Sequence, residues 1–215
     1  VRSLDPQAAY GREYESDLAF AGFLTFTDHP KPEVRSALAD LAALGVATKI
    51  ITGDGKLVAQ HVARLVGLDA TCVLTGSDLQ NLSEAALVQA AGRTQLFVEV
   101  DPNQKERIIL SLKKAGHVVG FLGDGVNDAP AMHAADTSLS VEEAVDVARD
   151  AADFVLLERD LDVIRRGIEE GRRTFANTMK YIRTTTSANL GNMVSMALAT
   201  PLLPTFIEAR DALLA

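Results

Sequence analysis

The stretch Val118-Val119-Gly120-Phe121-Leu122-Gly123-Asp124-Gly125-Val126-Asn127-Asp128-Ala129-Pro130 decides the fold. Its first five residues are apolar or small, which suits a short strand covered on both faces, and the glycines, acids and amide that follow read as a loop. The same order recurs upstream. Ala47–Ile51 reads as a strand closed by Thr52-Gly53-Asp54-Gly55, and Lys56–Val66 as a helix with an apolar face of Leu57, Val58, Val62, Leu65 and Val66, ended by Gly67. Leu96–Val100 is a further strand, followed by a helix over Asn103–Ala115. Asp101 serves as its cap, Pro102 as its first-turn proline and Gln104 as the third residue of a capping box.

Leu18–Phe26 reads as a buried strand, and Pro30 as the start of a helix that carries Val34, Leu38, Leu41 and Leu44 up to Gly45. A short segment at Cys72–Leu74, a helix after Ser83 and weaker strands at Thr137–Ser140 and Phe154–Leu157 complete the series. Strands alternating with helices imply an α/β fold, a Rossmann-like doubly wound parallel sheet with helices on both faces.

Composition narrows the function. The net charge of -8 argues against a nucleic-acid partner, because such binding draws on clustered Lys and Arg. Cys72 is the only cysteine, which excludes an internal disulfide and a thiolate zinc site. His29, His61, His117 and His133 have no metal-ligand spacing. No basic region followed by an apolar run opens the chain, so no secretory signal is expected. Val1 is not an initiating Met, which suggests a piece of a longer protein.

A parallel sheet gathers the carboxyl ends of its strands on one edge, and ligands bind in the crevice outside that edge. The expected strand ends carry Thr27-Asp28-His29-Pro30, Thr52-Gly53-Asp54, Asp101-Pro102 with Lys105 one turn on, and Gly123 to Asp128. A hydroxyl, a glycine amide, an ammonium and two carboxylates at one place suit a phosphoryl group with Mg²⁺. Thr52 and the Gly53 N–H would donate to phosphoryl oxygens, Lys105 would neutralise charge on them, and Asp124 would ligate Mg²⁺. Asp128, counted with Asp124 in the metal set, would orient Asp124 or metal-bound water, and Asn127 joins Thr52, Gly53, Lys105 and Asp128 in the catalytic set.

From Asp160, a helix cap, one long helical pattern follows, with Leu161, Ile168, Phe175 and Ile182 seven residues apart and Ile164 and Met179 beside them. The 24 residues from Thr184 to Ile207 carry no charge. As helix they would span roughly 36 Å against a hydrocarbon core of about 30 Å. The stretch contains Asn189 and Asn192. Arg172, Arg173, Lys180 and Arg183 before it would put the preceding domain on the cytoplasmic side. The other reading of this segment is an amphipathic helix packed on a soluble domain.

The motifs Thr52-Gly53-Asp54, Pro102-x-x-Lys105 and Gly123-Asp124-Gly125-Val126-Asn127-Asp128-Ala129-Pro130 resemble the later signatures of P-type ATPases, whose phosphorylation domain is haloacid dehalogenase-like. The resemblance runs from about Asp17 to Pro204 and is greatest to the Mg²⁺-transporting members. It implies a parent that uses ATP and Mg²⁺, forms an aspartyl-phosphate and moves a divalent cation across the plasma membrane.

By the same resemblance, residues 1–16 are a linker from a nucleotide-binding domain and 17–160 are the phosphorylation domain. Residues 161–186 become a stalk helix, 187–207 a transmembrane helix and 208–215 a divergent tail. Asp28 to Lys31 corresponds to a hinge near bound ATP, with His29 where the family has proline, and Asp54 also belongs to the ATP-binding set. Asn189 and Asn192 match positions that handle the transported ion.

The family's Asp-Lys-Thr-Gly-Thr segment, whose aspartate accepts the phosphate, has no counterpart, since no Asp-Lys pair occurs. The chain alone is therefore not expected to turn over. Two other readings stay open. One is a soluble haloacid dehalogenase-like phosphatase that uses Asp28. The other is a non-catalytic module that binds Mg²⁺ or phosphate.

Overall fold

The computed structural model describes residues 11–12, 18–23, 30–158 and 160–214. The chain divides into two compact units, Val1–Lys31 and Pro32–Ala215. In the first unit the rings of Phe20 and Phe23 meet edge to face at 5.2 Å. The strand expected over Leu18–Phe26 is not formed at residues 18–23, which are irregular, with Phe20 and Phe23 largely exposed. Residues 24–29, which include Thr27, Asp28 and His29, lie outside the described residues.

Among the described residues the second unit contains six short parallel strands. β1 (Ile50–Ile51), β2 (Val73–Thr75) and β3 (Leu96–Val98) form one sheet in the order β1-β3-β2, with Ile51 and Leu74 both level with Phe97. β4 (Gly120–Leu122), β5 (Thr137–Val141) and β6 (Phe154–Leu156) form another in the order β4-β5-β6. Parallel pairing was expected. The division into two sheets was not, and among the described residues β1 and β4 each pair on one side only.

One core nevertheless serves both sheets. Phe97 of β3 and Phe121 of β4 share a cluster with Leu79, Leu87, Ile108, Ile109, Leu112 and Met132. The middle of that core is α5 (Pro102–Lys114), which packs against α4 (Glu84–Arg93) on one side and α6 (Ala129–Ala134) on the other. Ile108 and Ile109 are almost fully buried, which stabilises the fold by about 1.5–3 kcal/mol for each side chain.

The start of α5 follows the expected chemistry. Gln104 N donates to Asp101 Oδ1 at 2.8 Å and Asp101 N donates to Gln104 Oε1 at 3.0 Å, so the box is closed in both directions with Pro102 in the first turn.

Other expectations need correction. α1 (Val34–Ala43) begins four residues later than Pro30, because Pro32 keeps Lys31 out of the helical region. α2 (Lys56–Leu65) turns Ala59 and Ala63 inward instead of the larger residues, and Leu57 is 83% and Val58 60% exposed. The small residues let the helix approach β3 closely, against Leu96 and Val98. The short helices α3 (Gly76–Asn81) and α7 (Asp146–Asp150) lie in stretches too brief to show a period.

α8 (Leu161–Leu214) is one helix of 54 residues, about 80 Å long, and runs through Pro201 and Pro204. Only its beginning is packed. Leu161, Ile164 and Ile168 are half-buried and Arg172 Nη1 donates to Leu44 O at 2.7 Å, whereas Phe175 and Ile182 of the same stripe are exposed. α1 has ten residues and cannot cover more. Among the described residues no helix is long and apolar enough to cross a membrane. The stretch 187–207, expected to span a membrane, forms as helix, with Ser187, Asn189, Asn192, Ser195 and Thr200 interspersed among its apolar residues.

Candidate functional site

The loop after β1 is fixed by backbone bonds to the end of β3. Thr52 N donates to Phe97 O at 2.9 Å, Val100 N to Thr52 O at 3.2 Å and Glu99 N to Asp54 O at 3.0 Å. Within the loop Asp54 N donates to Thr52 Oγ1 at 3.1 Å, which leaves the hydroxyl proton available to a ligand. A side chain at Gly53 would come within 3.6 Å of Val100 O. Thr52 and Gly53 therefore lie beside the start of α5, whose first turn carries Lys105.

Lys105 Nζ donates to Asp128 Oδ1 at 2.7 Å, and both side chains are 13% exposed. The other oxygen, Asp128 Oδ2, accepts from Asp124 N at 3.3 Å and Gly125 N at 3.2 Å. Both oxygens of Asp128 are thus used within the protein, and they hold the turn Val126–Asp128 closed against α5. Asp124 differs. Its backbone is held by Val145 N, which donates to Asp124 O at 3.2 Å. Its side chain is exposed and, among the described residues, its carboxylate takes no hydrogen bond or ion pair. Asn127 is exposed on the same turn.

Gly123 is dictated by this packing. A Cβ there would lie 2.6 Å from Asp128 Cβ and 3.1 Å from Met132 Sδ, so only glycine lets the carboxylate fold back over the loop. Ser140, fully buried in β5, donates from Oγ to Gly123 O at 2.8 Å and fixes the loop from below. Sequence reasoning missed Ser140, since nothing in a short strand marks which hydroxyl faces a neighbouring loop. Glu99 was missed as well, although an acid between Val98 and Val100 interrupts an apolar run.

The donor set can be tested against Mg²⁺. Among the described residues no three His, Cys, Asp or Glu side chains are grouped as a self-sufficient metal site. Mg²⁺ commonly takes one or two carboxylates and completes its octahedron with water and phosphate oxygens. One uncommitted carboxylate, Asp124, beside a lysine and backbone amides fits a Mg²⁺ ion bound together with a phosphate, and does not fit a metal held by protein alone. Asp54 is exposed in the Thr52 loop. Asn189 and Asn192 are exposed on α8, three residues apart and so on one face of it.

A family described as haloacid dehalogenase-like hydrolase matches residues 3–136. The chain is 52% identical over 195 residues to "Magnesium-transporting ATPase, P-type 1" of Salmonella typhimurium, covering 91% of this chain and 22% of that protein. The protein of the same name from Escherichia coli K12 gives the same figures. The chain thus spans about a fifth of the length of the curated relatives it matches. Among solved structures, a zinc-transporting PIB-type ATPase in its E2.Pi state is 27% identical with a TM-score of 0.57, covering 71% of this chain and 21% of that one. The chain belongs to the haloacid dehalogenase-like hydrolase family.

Proposed function

We propose that this chain is part of the phosphorylation domain of an ATP-driven, Mg²⁺-transporting P-type pump. The observation that carries the reading is the Lys105–Asp128 pair, which ties the Gly123–Asp128 loop to the start of α5, the same end to which the Thr52 loop is bonded through Val100. The similarity to magnesium-transporting ATPases over 91% of the chain supports the same assignment.

In this reading each residue has a chemical task. The Thr52 hydroxyl and the Gly53 amide donate to phosphoryl oxygens. Lys105 has three donors and spends one on Asp128, so two remain for the transferred group. Charge that builds on the phosphoryl oxygens is then met by fixed positive groups in a partly dry place. Asp128 keeps Lys105 and the loop amides in position and is not itself a ligand. Asp124 would hold Mg²⁺ with Asn127 beside it, and the ion would supply charge neutralisation and orientation of the phosphate.

The phosphate acceptor would be an aspartate on a segment other than these 215 residues, which contain no Asp-Lys pair. Residues 17–160 would belong to the phosphorylation domain, 161–186 to a stalk, and 187–207 to the membrane part of the pump. The amides and hydroxyls of that last stretch would then face neighbouring helices rather than lipid. Asn189 and Asn192 would serve the divalent cation there, and Asp28 and Asp54 the ATP side. The pump would lie in the plasma membrane with this domain in the cytoplasm.

The test compares the 215-residue chain with the longer protein under Mg²⁺ and radiolabelled ATP. The longer protein should take up an acid-stable, hydroxylamine-sensitive label and the chain alone none. A clear label on the chain alone, or none on the longer protein, defeats the proposal.

A further inference from the structure

Among the described residues Glu99 is the one non-glycine residue with a left-handed backbone, at φ 56°. Such a conformation is costly for a residue with a side chain and persists where its surroundings impose it. Here they do so from three sides. Glu99 N donates to Asp54 O at 3.0 Å. Glu99 Oε1 accepts from Lys56 N at 3.1 Å. The Glu99 carbonyl lies so close to Gly76 that a Cβ on that glycine would stand 2.3 Å from its oxygen.

The bond to Lys56 is informative because of what α2 lacks. Its cap residue is Gly55, which has no side chain to accept from the first-turn amides. Glu99 supplies that acceptor from the end of β3, and its own amide holds Asp54 from the other side. One residue therefore grips the Thr52-Gly53-Asp54-Gly55 loop at both ends, through a backbone turn that stops β3 at Val98.

We infer that Glu99 is a positioning residue for the phosphate-facing loop: its left-handed turn aims its carboxylate at the Lys56 amide and its amide at the Asp54 carbonyl, which keeps Thr52 and Gly53 turned to the ligand. The link to phosphate rests on the function proposed above, whereas the grip on the loop does not. Among the described residues Glu99 makes no hydrogen bond or ion pair with Lys105, whose ammonium is held by Asp128.

The experiment uses the 215-residue chain, two variants and amide-resolved NMR. Glu99→Gln keeps an oxygen acceptor without the charge, and Glu99→Gly keeps the left-handed turn without the acceptor. Glu99→Gly should raise hydrogen exchange at Lys56 about fivefold or more, the factor that one lost hydrogen bond corresponds to, while Glu99→Gln stays near the original. Unchanged exchange at Lys56 in Glu99→Gly, or exchange raised equally in Glu99→Gln, would overturn the positioning role.

Inorganic phosphate with Mg²⁺ is then titrated into each. Shifts at the Gly53 amide that weaken about fivefold in Glu99→Gly and recover in Glu99→Gln support the whole inference. Equal phosphate shifts in all three proteins overturn the claim that the grip matters for the ligand. If the Lys56 results hold while phosphate shifts no amide in any of the three, the grip stands and the phosphate reading falls.

Discussion

Lys105 in the first turn of α5 and Asp128 at the end of the β4 loop are joined at 2.7 Å, although 23 residues separate them. The two side chains come from different strand–loop–helix units, so the bond reports how those units are assembled. With Asp128 Oδ2 accepting from two amides of its own loop, the pair turns a flexible glycine-rich segment into a fixed one.

Lys105→Met should cost about 1–3 kcal/mol of stability, because Asp128 would keep its burial and lose its strongest donor. Urea unfolding of the two proteins checks this. A cost within a few tenths of a kcal/mol would mean that water replaces the ammonium without loss.

Gly123→Ala and Gly125→Ala separate packing from flexibility. The first places a methyl group 2.6 Å from Asp128 Cβ and should destabilise by about 1–3 kcal/mol. The second meets no atom closer than 3.6 Å and should stay within about 0.5 kcal/mol. Thermal melts of both give the comparison, and equal losses would contradict the close approach of Asp128.

Acid should weaken the fold through Asp136 and Asp153. The Val119 amide and Lys113 hold the Asp136 carboxyl below the usual aspartate range, and the Ser138 amide and hydroxyl do the same for Asp153. Both groups bind protons less readily folded than unfolded, so stability is full above the ordinary value near 4 and is lost as pH falls below it. Unfolding midpoints measured between about pH 6 and 3 should decline less steeply in Asp136→Asn and Asp153→Asn than in the unsubstituted chain.

The order of strands and helices was legible because each loop announces itself: Thr52-Gly53-Asp54-Gly55 and Gly123-Asp124-Gly125 cannot continue a strand, and Asp101-Pro102-Asn103-Gln104 starts a helix by its own chemistry. The inward face of α2 was not legible. Leu57 and Val58 fit a helical apolar stripe, yet the space against β3 accepts only Ala59 and Ala63, and a periodic pattern says nothing about the width of the space it must fill. The division of roles between the two acids was legible only in part. Spacing placed Asp124 and Asp128 in one loop, but only hydrogen bonds distinguish a carboxylate that is fully engaged from one that is free. Glu99 escaped because a left-handed residue within a β-type sequence is imposed by neighbours far along the chain.

In the function proposed above, Thr52, Gly53, Lys105, Asp124 and Asp128 surround one place suited to a divalent cation and a phosphate. Paramagnetic broadening of amide resonances by a trace of Mn²⁺ in the presence of inorganic phosphate tests it directly. Gly53, Lys105 and Asp124 to Asp128 should broaden together, excess Mg²⁺ should restore them, and Asp124→Asn should remove the effect. Broadening elsewhere on the acidic surface, or unchanged broadening in Asp124→Asn, would contradict it.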